Sequence, residues 1–236
     1  MLAAGANVND QDAWGVSALV LAEHSGFTDL GLYLLDKGAD PNKADAGFSA
    51  LHEAVMRRDL KMIAALLDHK SDPNFTLKTW TPTRRSSEDW NFDVSLVGAS
   101  PLWMAARYHQ PDAMRLLIKA GADPKFVHAH EYVAEDGFGQ RTMNEANTLL
   151  MAATGLGRAS KAWVTPNAAE REAVALETVK LCVEELGQDV NAMNTEGKMP
   201  LDGARTLRMQ TVVDYLTSKG AKGAAPAPGR GRGAGR

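Results

Sequence analysis

The stretch Leu35-Asp36-Lys37-Gly38-Ala39-Asp40-Pro41-Asn42 decides the fold, because close copies of it recur along the chain. Its Gly, Asp and Pro residues are typical of a helix end that is followed by a turn. The Gly position of the copies, filled by Lys in one of them, falls at 5, 38, 70, 121, 187 and 220, with spacings of 33, 32, 51, 66 and 33 residues. A recurring period of this size predicts stacked units that bury a core only between neighbours.

A second motif runs in step with the first and has the pattern Ser-Ala-Leu-His-Glu-Ala in the copy that begins at Ser49. Ser or Thr at its first position can cap a helix, and Leu and Ala three residues apart lie on one helix face. The pattern resembles the Thr-Pro-Leu-His-x-Ala signature of ankyrin repeats. The resemblance implies that His52, at the signature His position, makes a hydrogen bond that braces the turn. Further copies of the motif begin at Ser17, Ser100, Thr148 and Met199.

The chain is thus identified as a member of the ankyrin-repeat family, and the predicted fold is an all-α solenoid over residues 1–222. We expect a partial N-terminal unit, about five helix-turn-helix repeats and β-hairpin fingers. The remaining residues, 223–236, are rich in Pro, Gly and Arg without apolar periodicity, which predicts a disordered, solubilising tail.

The two long spacings resolve into three insertions, predicted at about 76–97, 127–146 and 156–174. In the first insertion, Trp90, Phe92, Val94 and Leu96 alternate with polar residues, which predicts a half-buried strand of a long β-hairpin finger. The aromatic side chains of this finger either pack against neighbouring helices or form an exposed contact.

The second insertion is predicted to be a hairpin that turns at Asp136-Gly137. His128 and His130 would face the same side of its first strand, so they are weak candidates for a metal site, with a solvated or hydrogen-bonded pair as the alternative. In the third insertion, Thr165-Pro166 has the pattern of a helix start, which predicts a lengthened second helix that ends near Leu186.

The insertions resemble those of a group of ankyrin-repeat proteins of soil bacteria whose biochemical role is not established. The stretches that carry this resemblance are 98–107, 148–153 and 169–173. Members often carry an export signal, whereas Met1 here begins inside a repeat. A cytoplasmic location is therefore only the default expectation, and a periplasmic or secreted location stays open.

The composition and charge of the chain disfavour several classes of function. The net charge is −3, and the acidic balance of the repeat body disfavours nucleic acid as the partner. The single cysteine, Cys182, allows no internal disulfide and falls where a buried helix residue is expected. No apolar run is long enough for a membrane span. We expect a monomer without a cofactor.

In ankyrin proteins the ligand usually meets the hairpin tips and the concave face of the first helices, which implies a protein or peptide partner here. The alternative is a small-molecule or metal site, catalytic in one version, formed by the insertions. Spacing fixes no catalytic constellation, so we favour a non-enzymatic protein. The implied binding residues are Trp14, His24, Phe48, Met56, Arg57, Trp80, Arg84, Arg85, Trp90, Arg107 and Tyr108.

Overall fold

The structure is a computed structural model that describes residues 4–81, 92–136, 139–157 and 167–224. These residues form ten α-helices and one two-stranded antiparallel sheet. The five helix pairs are α1 (Ala18–His24) with α2 (Thr28–Asp36), α3 (Ala50–Arg57) with α4 (Leu60–Asp68), α5 (Pro101–Arg107) with α6 (Pro111–Lys119), α7 (Leu149–Ala153) with α8 (Ala168–Lys180), and α9 (Pro200–Thr206) with α10 (Gln210–Ser218).

The pairs stack in two layers, as the repeat pattern predicts. The inner helices α1, α3, α5, α7 and α9 contact one another in sequence, and the outer helices α2, α4, α6, α8 and α10 do the same. Four inner helices begin at a hydroxyl side chain that accepts a hydrogen bond from the first helical turn, at Ser17, Ser49, Ser100 and Thr148. The signature Leu and Ala of each described pair are buried in the core between repeats.

A row of asparagines ties the turns of consecutive repeats together. The side-chain amide of Asn42 donates to the carbonyl of Lys70 at 2.9 Å, and its Oδ1 accepts from the amide of Asp72 at 2.7 Å. The other members of this asparagine row are Asn9, Asn74 and Asn191. In the third repeat the equivalent position is occupied by Lys125. The side-chain amide of Gln188 donates instead to the carbonyl of the neighbouring Pro124 at 2.7 Å.

The first insertion departs from the predicted strand. Val94–Leu96 is a turn of 3-10 helix, because Oδ1 of Asp93 accepts hydrogen bonds from the amide and the hydroxyl of Ser95. Phe92 and Leu96 are both fully buried, and the polar Ser95 beside them is only 4% exposed, which breaks the alternation of a half-buried strand. The two ends of the insertion still run side by side, since the amide of Leu77 donates to the carbonyl of Ala99 at 2.9 Å.

The second insertion is an antiparallel hairpin of β1 (His128–Asp136) and β2 (Gly139–Asn147), in which Asp136 pairs with Gly139. The connecting residues 137–138 lie outside the described residues. Thr195 of the last repeat holds the β2 side of the hairpin, because its hydroxyl donates to the carbonyl of Asn144 at 2.6 Å.

The third insertion precedes a long outer helix. α8 has 13 residues, whereas α2, α4, α6 and α10 have 9 each, and it continues into a π-helical turn at Leu181–Glu185. The predicted start at Thr165-Pro166 lies outside the described residues. The first described cap is Asn167, whose side chain accepts from the amide of Ala169 at 3.0 Å.

Among the described residues, no helix has the length and the apolar character required to cross a membrane.

Candidate binding surface

Trp14 is the most exposed large apolar side chain of the described residues, at 69%. It lies on the tip of the first turn, which is fixed by Oδ1 of Asp12, the acceptor for the amides of Trp14 and Val16 at 2.9 Å each. Gly15 has φ +80°, and a Cβ atom there would lie 2.9 Å from the backbone of Asp45. The tip that bears Trp14 is therefore held tightly against the tip of the next repeat.

Trp80 is half exposed, at 50%, at the base of the first insertion. The amide of nearby Lys78 donates to the carbonyl of Gly47 at 2.7 Å. The methyl group of Thr79 packs on Gly47, which has φ +91°. Close packing on a glycine of positive φ thus recurs between the second and third tips, where a backbone hydrogen bond also joins them.

His24 and Arg57 lie at the ends of the inner helices α1 and α3. The guanidinium Nη1 of Arg57 donates to the carbonyl of His24 at 2.9 Å, and Nδ1 of His24 lies 3.3 Å from Oε1 of Glu53. The side chain of His24 remains 40% exposed. These two residues add polar groups at the carboxyl ends of the inner helices, whereas the tips precede the amino ends.

The first insertion covers another part of the predicted surface. Phe48 is half-buried, with its ring centroid 5.4 Å from that of Phe92. Phe92 in turn lies edge-on to His52 at 6.2 Å. Phe48 is therefore mainly a support for the insertion.

Two predicted binding residues at the ends of inner helices, Met56 and Tyr108, are buried. They are only 7% and 5% exposed, so the expectation that a partner can reach them is wrong. Burial raises the pKa of the Tyr108 hydroxyl to about 12. Arg107 is half-buried, and desolvation lowers the pKa of its guanidinium. Concave residues of the second and third repeats are thus closed off by packing, which spacing alone could not show.

His128 and His130 do face the same side of β1, but they belong to a column of neighbouring rings, in which the rings of His130 and Tyr132 are stacked and the other contacts are tilted. The ring centroids of Trp103 and His128 are 4.4 Å apart, those of His128 and His130 6.2 Å, and those of His130 and Tyr132 5.5 Å. Nε2 of His128 also lies 2.9 Å from the carbonyl of Val97. Desolvation lowers the pKa of both imidazoles. Both imidazoles are thus part of the ring packing on this face of the hairpin, and Nε2 of His130 has no hydrogen-bond partner among the described residues.

Within the described ranges, no three His, Cys, Asp or Glu side chains are grouped so that they could hold a metal ion. Cys182 is fully buried, and burial raises the pKa of its thiol to about 12, which disfavours a reactive thiolate. Arg84, Arg85 and Trp90, the remaining predicted contact residues, lie outside the described residues.

Sequence reasoning missed two buried carboxyl groups beside this surface. Glu23 and Glu53 are 0% exposed between the first two repeats. Glu53 fills the variable position of the signature, and Glu23 directly follows a signature Ala, so the repeat pattern itself gives no signal that either is buried. Their position relative to Arg57 and His24 appears only when α1 and α3 are stacked.

Comparison with known proteins agrees with this architecture. Residues 1–76 match the model of ankyrin repeats in three copies, and residues 97–128 match the model of a single ankyrin repeat. The crystal structure of an ankyrin repeat domain from Acinetobacter baumannii AYE is similar with a TM-score of 0.62 and 22% identity, over 94% of this chain and 90% of that chain.

Two curated proteins match parts of the chain. A protein of Acanthamoeba polyphaga mimivirus that is named for its ankyrin repeats is 39% identical over 75 residues, which are 31% of this chain and 18% of that protein. Protein glp-1 of Caenorhabditis elegans is 42% identical over 127 residues, 51% of this chain and 8% of that protein. The chain thus spans less than a fifth of either relative.

Ankyrin repeats generally serve as scaffolds for protein–protein interaction. The stacked helix pairs, the hydrogen bonds between turns and the matches over residues 1–76 and 97–128 lead to one conclusion: this chain contains ankyrin repeats and has the ankyrin-repeat fold.

Proposed function

We propose that the chain is a non-enzymatic scaffold that binds a protein or peptide segment across the tips and inner helix ends of its first repeats. The exposure of Trp14 and Trp80 on tips that are fixed by hydrogen bonds carries this proposal. Tryptophan is among the residues that most often dominate binding energy at interfaces. A side chain on a fixed loop also loses little conformational freedom when a partner binds.

Other residues of the first repeats support the same location for the binding surface. His24 and Arg57 provide polar groups at the ends of inner helices α1 and α3, while Phe48, Met56 and Tyr108 are covered or buried. Phe92 of the first insertion covers Phe48, whereas Trp14 and Trp80 stay exposed. An open platform at this end explains the observations better than a closed pocket between the insertions.

The net charge of −3 makes a protein or peptide partner more suitable than nucleic acid, whose phosphates require a basic surface. We propose that the chain binds this partner as a monomer, so that each chain provides one binding surface.

A peptide-display selection against the purified chain tests the proposal. Selected peptides are then titrated by calorimetry against the wild type, Trp14→Ala, Trp80→Ala and the double variant. We expect each single substitution to weaken binding about tenfold or more, as for a contact that dominates an interface. Tyr33→Ala is the matched control, because Tyr33 is 48% exposed but lies on outer helix α2.

The proposal fails if no peptide is enriched over the empty support. It also fails if the selected peptides bind the double variant as tightly as the wild type, or lose the same affinity with Tyr33→Ala. A selected peptide that binds only in the presence of a metal ion would favour the alternative site in the insertions.

A further inference from the structure

The junction between the first two repeats contains two buried carboxyl groups with few hydrogen bonds. Glu23 lies in α1 and Glu53 in α3, and both side chains are 0% exposed. Both oxygens of Glu23 and Oε2 of Glu53 have no hydrogen-bond partner among the described residues. Buried polar groups in folded proteins are normally paired, so this arrangement requires an explanation.

The carboxyl group of Glu23 lies in a space that a small residue provides. A Cβ atom at Gly31 of α2 would lie 3.2 Å from Oε1 of Glu23 and 2.9 Å from Cε of Met62. Met62 is fully buried in α4, so the nearest described surroundings of this oxygen include an apolar methyl group and a glycine backbone. Neither of these two neighbours compensates for a negative charge on Glu23.

The charged groups around Glu23 come mainly from the second repeat. Asp59 and Glu53 disfavour a charge on Glu23, and Arg57 favours it. Asp59 is already occupied, because its carboxylate accepts from the hydroxyl of Thr28 and from the amide of Met62. Two carboxyl groups therefore oppose one guanidinium at this position.

The other charged groups of the packed elements are directed elsewhere. His24 of α1 pairs with Glu53, and the guanidinium of Arg58 donates to the backbone carbonyl of Tyr108. Lys61 of α4 pairs with Asp29 of α2 at 3.1 Å on the outer surface. Asp36, at the end of α2, is exposed.

These groups determine the favoured protonation state. Desolvation raises the pKa of Glu23 from 4.5 to about 7, with a smaller contribution from the charge of Asp59. Desolvation also raises the pKa of Glu53, which the hydrogen bond from His24 partly opposes. An unpaired buried carboxylate is costly, and a protein avoids that cost by keeping the group neutral.

We propose that the junction between the first two repeats is a proton-linked joint, which packs fully while Glu23 carries a proton and loosens when Glu23 loses it. A solenoid is stabilised by its interfaces between neighbours, so weakening one interface affects the helices on its two sides and leaves distant repeats intact. The joint lies directly beside His24 and Arg57, but the inference does not depend on partner binding.

The sign of the effect follows from proton linkage. The unfolded chain releases the Glu23 proton near pH 4.5, whereas the packed junction retains it until about pH 7. The contribution of Glu23 to stability is therefore complete below pH 4.5 and is lost as the pH rises to about 7. Glu23→Gln removes the titration and nearly keeps the shape of the side chain.

The experiment measures urea unfolding of the full chain, wild type and Glu23→Gln, between pH 5 and pH 8. We expect the ratio of the two unfolding constants, wild type over variant, to rise by a factor on the order of 10 to 100 over this range. Amide hydrogen exchange should show the loosening in α1 to α4 of the wild type and no change in α9 and α10. Glu131→Gln, an exposed substitution on β1, is the matched control.

A constant ratio between wild type and Glu23→Gln would overturn the inference, as would loosening that is spread equally over all repeats. If Glu23→Gln does not fold, the carboxyl carbon of Glu23 is titrated by NMR in the wild type, with Glu23→Met as the second variant. A midpoint near 7 supports the joint, and a midpoint near 4.5 refutes it.

Discussion

The indole Nε1 of Trp103 donates a hydrogen bond to the carbonyl oxygen of Asn147 at 3.1 Å. One repeat earlier, Nε2 of His52 lies 3.4 Å from the carbonyl oxygen of Ala99. Trp103 and His52 fill the same signature position, and Asn147 and Ala99 each precede the cap of the next inner helix. A tryptophan thus provides in the third repeat the brace that the histidine provides in the second.

Trp103→Phe should lower the free energy of unfolding by about 1–3 kcal/mol, because it leaves a buried carbonyl of Asn147 without its partner. Much of the apolar contact of the fully buried ring is retained, so the loss is mainly that of the hydrogen bond. Urea unfolding followed by circular dichroism measures it. Trp14→Phe, at an exposed position, is the control with no expected change, and an equal loss in both variants would contradict the assigned brace.

The sequence predicts the repeats well because each turn requires specific residues. A helix cap at Ser49, a left-handed residue at Gly38 and a bracing ring at His52 are local requirements, and local requirements are visible as a period. The insertions have no such period. Alternation in the first insertion indicated a strand, but the side chain of Asp93 favours a helical turn.

The candidate surface could be predicted only in part, because exposure depends on what the insertions cover. Trp14, at a predicted tip, and Trp80, in the predicted finger, are exposed, whereas Tyr108 is enclosed by tertiary packing. The burial of Glu23 is likewise a property of the stacked α1 and α3, since its position in the repeat is compatible with either environment.

Asn74→Ala should destabilise the chain by about 1–3 kcal/mol, because one side chain makes two hydrogen bonds across the first insertion. Its amide donates to the carbonyl of Gly121 at 2.9 Å, and its Oδ1 accepts from the amide of Asp123 at 2.8 Å. Thermal unfolding measures the change. Lys125→Ala serves as the matched control, because this position has no asparagine contact to the next turn, and its substitution should change little.

Glu172→Ala should weaken the last repeat by about 1 kcal/mol, the usual value of a helix cap. α10 has no side-chain cap of its own, and Oε1 of Glu172 in α8 accepts from the amide and the hydroxyl of Thr211 at 2.6 and 2.9 Å. Hydrogen exchange of α10 should rise while that of α3 is unchanged. Glu131→Ala on the hairpin is the control, and unaltered exchange of α10 in Glu172→Ala would show that the contact is not a cap.

Acid should destabilise the chain through His109. Burial lowers the pKa of this imidazole from 6.5 to about 4, although its hydrogen bond to the carbonyl of Ala153 acts in the other direction. The unfolded chain therefore takes up a proton near pH 6.5 that the folded chain does not accept until about pH 4. The stability contributed by His109 is complete above pH 6.5 and is lost as the pH falls to about 4.

His109→Asn tests this, because asparagine tolerates the positive φ of 51° at this position and does not titrate. Between pH 7 and pH 4.5, urea unfolding should show a loss of stability that is roughly 2 kcal/mol larger in the wild type than in the variant. Comparing the two chains at each pH cancels the opposite contribution of Glu23, which both contain. Equal losses would mean that the pKa of His109 is the same in the folded and unfolded chains, with the hydrogen bond to Ala153 balancing the effect of burial.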